Sequence, residues 1–168
     1  MMDADLAAKR GLPILGLFRG MQLASVAPEE MSIAITPAIR KLMKQHGLNN
    51  GDVDLWELHE AYAVTTLYNQ AQLETPLETT NVNGGAIALG HPYGMSGIRY
   101  LGSTLMELGR RGKNKAVGTH RGSHRSAIEG AGNRAAGRGD RPQHHAGQRG
   151  RAAALVVDDV RSGLGDHF

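Results

Sequence analysis

The chain of 168 residues contains no cysteine. Without a thiol it forms no disulfide framework, offers no thiolate to a metal ion and carries no cysteine nucleophile of its own. Aromatic residues are scarce, with one Trp, four Tyr and two Phe, so any core is built mainly from aliphatic side chains and alanine. No apolar run reaches the roughly 18–20 residues of a membrane span. The opening stretch "MMDADLAAKRG" also lacks the apolar segment of a secretory signal. These absences make a soluble, cytoplasmic protein with no membrane partner the default expectation.

An excess of charge of one sign is missing over most of the chain too. Residues 1–118 hold 11 Lys/Arg and 11 Asp/Glu, and the net charge of +3 arises within residues 119–168, where 8 basic residues face 5 acidic ones. A small basic nucleic-acid-binding protein is one reading that such a tail invites, because clustered Lys and Arg neutralise phosphates. Against it, no aromatic stands between His120 and Val160 for base stacking, and acids are interspersed. His144-His145 is the nearest thing to a zinc-ligand spacing. No nucleic-acid partner and no metal are expected, and the tail reads as a solvated charge run.

What is present alternates between elements. "PILGLFRGMQLASV" (Pro13–Val26) reads as one long or two short strands. "TPAIRKLMKQHGL" reads as a helix with Thr36 as N-cap, Pro37 at the first helical position, Ala38, Ile39, Leu42 and Met43 on one face, and Gly47 as its stop. "DVDLWEL" (Asp52–Leu58) has the length and alternation of a short buried strand. Glu60–Glu74 follows as a helix whose apolar residues are Ala63, Val64, Leu67 and Ala71. A last helix spaces Ile98, Leu101, Leu105 and Leu108 and carries Arg110 and Arg111 in its final turn, where the helix dipole favours cations. "KAVGTH" begins another strand. Strands alternating with helices indicate an α/β domain, a mixed sheet covered by helices.

From His120 the regularity stops. Residues 121–152 contain 7 Arg, 7 Gly, 6 Ala and 3 His, with Ile128 as the one large aliphatic side chain. So little apolar surface does not offset the entropy of ordering. The chain therefore divides into a domain over 1–119 and a basic Gly/Arg/Ala-rich tail over 120–168 that is poorly ordered.

Between the last two helices lies "NVNGGAIALGHPYGMSG", Asn81–Gly97, with five glycines and one histidine, His91, set between a glycine and a proline. Glycine concentrates where φ is positive or where other atoms come close. A Gly-His-Pro tripeptide in such surroundings is a rigid presentation of an imidazole, the side chain whose titration lies nearest neutral pH.

Three blocks in order, "DLWELHEAYAV", this glycine loop and "LGRRGKNKAVGT", resemble the C-terminal half of the thiolases, the acyl-CoA acyltransferase family. The resemblance covers about residues 8–119. It implies Claisen condensation or thiolytic cleavage of acyl-CoA thioesters in lipid metabolism, fatty-acid β-oxidation included. No cofactor is implied beyond coenzyme A as a substrate, and the family usually forms homodimers or homotetramers. By the resemblance, His91 is the catalytic histidine, which activates a cysteine and helps to form an oxyanion hole. His59 stands where most members carry the asparagine of Asn-Glu-Ala-Phe, in the same oxyanion hole. Glu60 and Asn83 match polar positions that shape the substrate loop, and Gly84, Gly85 and Gly90 match the glycines that let it turn. Both cysteines of the family's mechanism are absent from this chain. Where the second belongs, in a Cys-x-Gly-Gly-Gly turn, the sequence reads "RGSHRSAIEG". The change of composition there is what GC-rich DNA gives in the wrong frame, so 120–168 is expected to be out of frame. The chain alone is expected to be an inactive, non-catalytic fragment.

Overall fold

The computed structural model describes residues 2–122 and 150–158. A four-stranded mixed sheet is built from β1 (Leu17–Val26), β2 (Leu55–Glu57), β3 (Lys115–Gly122) and β4 (Gly150–Asp158). Its order is β1-β4-β3-β2, with β4 antiparallel to both neighbours and β2 parallel to β3. The helices are α1 (Ala4–Lys9), α2 (Ile35–His46), α3 (Ala63–Leu73), α4 (Ala86–Leu89) and α5 (Ser96–Arg111). The expected α/β architecture is the one observed.

Alternation along β2 shows how the layers form. Side chains of successive strand residues point to opposite faces. Trp56 joins the cluster made by Ile35, Ala38, Ile39 and Leu42 of α2 with Leu73 and Val117. Its neighbour Leu55 joins Leu108 and Ala116 on the opposite side, packed by Leu101 and Leu105 of α5. All three β2 residues are buried, as they must be when helices cover both faces of a sheet.

Three details depart from the sequence expectations. The N-cap of α2 is Ala34, which makes no side-chain cap bond, and Thr36 lies inside the helix. The capping acceptor comes from α3 instead. Asn69 Oδ1 accepts from the Thr36 amide at 3.0 Å and from Thr36 Oγ1 at 2.8 Å. At its other end α2 stops at Gly47, in the left-handed region at φ 63° as expected.

The second departure is the facing of α3. Its buried residues are Thr65, Asn69 and Leu73, whereas Val64 and Leu67 are 67% and 66% exposed. The apolar stripe read from the sequence points outward. The inward stripe is polar because Asn69 is fully satisfied there, donating as well to Ser32 O at 2.9 Å and Thr65 O at 2.6 Å. In α5 the expected face turns inward at Leu101, Leu105 and Leu108, but Ile98 is exposed.

The third departure concerns the boundary at residue 119. β3 runs on to Gly122, and "GRAAALVVD" forms β4 between β1 and β3. Short apolar runs specify a strand weakly by themselves, but a seat between two strands supplies hydrogen-bond partners on both edges. The remainder of the expected tail, 123–149 and 159–168, lies outside the described residues.

Candidate active site

His59 follows the end of β2 and is 2% exposed. Its amide donates to Thr119 Oγ1 of β3 at 2.8 Å, and its Nδ1 lies 3.0 Å from Tyr100 Oη of α5. Three elements thus set the position of one ring. His91 arrives from the loop between α4 and α5. Gly90, at φ 83° and ψ 169°, turns the chain just before it, and Arg99 of α5 holds the turn by donating to Leu89 O at 3.2 Å and Gly90 O at 2.6 Å.

The tautomer of His91 follows from its partner. Nδ1 lies 2.8 Å from Ser96 Oγ, and that hydroxyl gives its only hydrogen to Pro92 O at 3.0 Å. The serine oxygen therefore accepts from Nδ1–H, and the neutral ring carries its lone pair on Nε2. Such a ring acts as a base through Nε2. The loop and the strand end bring the two imidazoles together, with ring centroids 4.3 Å apart. His59 and His91, the two histidines singled out by the family resemblance, lie side by side.

The other residues proposed from the sequence lie around this pair rather than within it. Glu60 fastens the glycine loop, accepting from Asn81 Nδ2 at 2.8 Å and from the Ile87 amide at 2.9 Å. Asn83 is exposed and hydrogen-bonds Glu107 of α5. Gly84 sits at φ 84°. Gly85 is required for space, because a Cβ there would lie 2.4 Å from the Glu60 carboxyl carbon and 2.8 Å from Asn81 Nδ2. Gly85→Ala is expected to destabilise the domain by about 1–3 kcal/mol through overpacking of this buried corner, measured by urea unfolding followed through Trp56 fluorescence. An unchanged midpoint would mean that Glu60 moves aside freely.

Sequence reading missed Asn81, Ser96, Tyr100, Thr119 and His120. Asn81 is the hub of the loop. It takes φ 49°, accepts from the Leu58 amide at 2.7 Å, donates to Leu58 O at 2.9 Å, and its own amide donates to Trp56 O at 2.8 Å. The tolerance of asparagine for left-handed backbone was the available signal. His120 of β3 stands 5.2 Å from His59 and 5.6 Å from His91, centroid to centroid. Among the described residues no group of three or more His, Cys, Asp or Glu is placed to hold a metal ion.

Two buried carboxylates frame the site with opposite behaviour. Glu57 is pushed up to about 7, by burial first and by the charge of Glu60 second, with Arg99 opposing. Glu107 is held down at about 2, first by Arg110 and then, against burial, by Arg111 and Asn83.

The family described as "Thiolase, C-terminal domain" matches residues 12–128 of this chain. The chain belongs to the thiolase family. Its curated relatives include 3-ketoacyl-CoA thiolase 5, peroxisomal, of Arabidopsis thaliana, 46% identical over 118 residues that make up 70% of this chain and 26% of the relative. Rat 3-ketoacyl-CoA thiolase B, peroxisomal, is 43% identical over 107 residues, 64% of this chain and 25% of the relative. The chain thus spans about a quarter of the length of the curated relatives it matches. Among solved structures, the acetyl-CoA acetyltransferase of Bacillus anthracis superposes with a TM-score of 0.74 at 29% identity, covering 95% of this thiolase chain and 34% of that one. Human mitochondrial 3-ketoacyl-CoA thiolase in complex with CoA gives 0.73 at 32% identity, covering 94% and 33%. The expected cytoplasmic location is corrected by the relatives, which are named as peroxisomal in plants, a yeast and rat.

Proposed function

We propose that this domain binds acyl-CoA thioesters and supplies the imidazole half of a thiolase-type acyltransferase site. The observation that carries the reading is the pair of buried His59 and half-buried His91, with ring centroids 4.3 Å apart, each ring engaged at Nδ1 by a hydroxyl. A thioester oxygen beside them meets the ring N–H of His59 at the place where negative charge develops. His91 is the acid–base residue and His59 the donor that completes the oxyanion site. Glu60, Asn83, Gly84, Gly85 and Gly90 hold the loop that closes over the acyl-CoA, which is the substrate, with no further cofactor. The relatives suggest a peroxisomal setting, in the β-oxidation of fatty acids.

Acyl transfer through cysteine is outside the reach of this chain alone, because it has none. We read it as a fragment of that activity, to be completed by a chain bearing the nucleophile and, in a full-length relative, by assembly as a homodimer or homotetramer. The outward apolar side of α3, with Tyr62, Val64, Leu67 and Tyr68 exposed, suits burial against the part of a relative that this chain does not span. We further propose that residues after 120 derive from a shifted reading frame; sequencing the gene tests this, and an uninterrupted frame with no Cys-Gly-Gly turn in either alternative would end it.

Two measurements test the assignment. Titration with acetyl-CoA, observed through the imidazole ¹⁵N resonances, is expected to shift both His59 and His91, and no shift in either would remove the substrate reading. In a thiolysis assay with acetoacetyl-CoA and CoA, the 168-residue chain is expected to show no turnover above buffer. Measurable turnover would refute its inactivity alone.

A further inference from the structure

Resting on the reading of His59 as the oxyanion donor, we propose that Tyr100 is the positioning residue that makes it a donor. The phenol gives its hydrogen to His59 Nδ1 and so fixes the ring's own hydrogen on Nε2. A neutral imidazole has one hydrogen for two nitrogens, and the group bound at one nitrogen decides what the other presents. For His59 that group comes from α5, 41 residues further along the chain.

The surroundings of the phenol select donation. Tyr100 is buried at 4% exposure, and its Oη lies 3.0 Å from His59 Nδ1. Arg99 hydrogen-bonds the same oxygen. A guanidinium has donors only, so it fills a lone pair of Oη and leaves the phenol hydrogen for an acceptor. Burial pushes the phenol above its ordinary range, so at pH 7 the hydrogen is there to give.

One face of α5 thereby sets two rings in opposite tautomers. Ser96 and Tyr100 stand four residues apart, where side chains of a helix are neighbours. The serine oxygen accepts from His91 Nδ1–H, which leaves a lone pair on Nε2. The tyrosine donates to His59 Nδ1, which leaves a hydrogen on Nε2. With the ring centroids 4.3 Å apart, the site holds one base and one donor side by side. Two accepting hydroxyls would have given two bases, and two donating ones would have given two donors. Phenylalanine at position 100 would keep the packing and lose the choice, because His59 Nδ1 would have no phenol to accept from.

Long-range ¹H–¹⁵N correlation spectra of the imidazole rings report which nitrogen carries the hydrogen. In the full chain without ligand, the expected result is hydrogen on Nε2 of His59 and on Nδ1 of His91. This measurement needs no variant, so it stands whether or not a substituted chain folds. Tyr100→Phe should move the Nδ1 signal of His59 to that of a nitrogen without a donor and leave His91 in its tautomer. A tyrosine that merely fills space would move neither. The variant should also bind acetyl-CoA about 2- to 10-fold more weakly, the worth of one hydrogen bond. Hydrogen on Nδ1 of His59 in the unaltered chain would mean that the phenol turns to Ser96, which also reaches it, and would overturn the assignment. So would His59 signals unmoved by the substitution, or equal affinity in the two chains. Absence of acetyl-CoA binding by the unaltered chain would overturn the substrate reading instead, with the tautomers of the free chain still deciding the role of Tyr100.

Discussion

Asn69→Leu is expected to cost about 3–5 kcal/mol of folding stability, although it swaps one side chain for another of similar size in a fully buried position. Asn69 makes four hydrogen bonds, two as acceptor to Thr36 and two as donor to Ser32 O and Thr65 O. Leucine would strand the Thr36 amide, the Thr36 hydroxyl and Ser32 O, and each buried group left without a partner costs roughly 1–3 kcal/mol. It would also remove the side-chain cap that α2 receives among the described residues, since Ala34 offers none. Urea unfolding followed by the fluorescence of the buried Trp56 measures the loss. Asn69→Asp separates the two halves of the role, keeping the acceptor for Thr36 and losing both donors, and it should fall between leucine and the native residue. A cost below about 1 kcal/mol for leucine would mean that water replaces the asparagine and that α3 does not fasten α2.

Glu57 sets the expected pH effect that falls nearest neutrality. Its acid group is raised from 4.5 to about 7 in the folded protein, so the native state holds a proton that the unfolded chain releases. Between those two values the folded form binds more protons, and stability falls as pH rises. The contribution is fully present below pH 4.5 and is lost by about pH 7, with a span of about 3 kcal/mol. Glu57→Gln keeps the shape and removes the titration. The variant should gain on the native protein steadily from pH 4.5 to 7 and hold that advantage above it. A difference independent of pH would show that the carboxylate is solvated or paired after all. Glu107 behaves with the opposite sign. Its group is held at about 2 by Arg110, so the stability it contributes is present above its ordinary range and is lost only as pH falls toward 2.

The two carboxylates also show why part of the site was not legible in the sequence. Both look like ordinary acids in "LWELHEAY" and "LMELGRR". One finds cations three and four residues ahead on its own helix, a spacing that the sequence displays. The other is enclosed by strands and loops distant in sequence, and only the folded chain decides its environment. His59 and His91 were legible because the motifs around them are local, and glycine and proline write backbone geometry into the sequence. His120 was passed over because the sequence beyond it lost its pattern. Its neighbours are 61 and 29 residues away in the chain, and nothing local announces such a contact.

From residues alone came the α/β class, the end of α2 at Gly47 and the inward leucines of α5, while the family resemblance drew attention to His59 and His91. Each rests on a short-range rule, of periodicity, left-handed backbone or motif spacing, that operates within a few residues. Tertiary structure alone decided that α3 turns its apolar side outward, that an asparagine from one helix caps another, and that β4 enters the middle of the sheet. In all three cases the deciding quantity is the satisfaction of buried hydrogen-bonding groups. Their partners lie tens of residues apart, and only the completed fold brings them together.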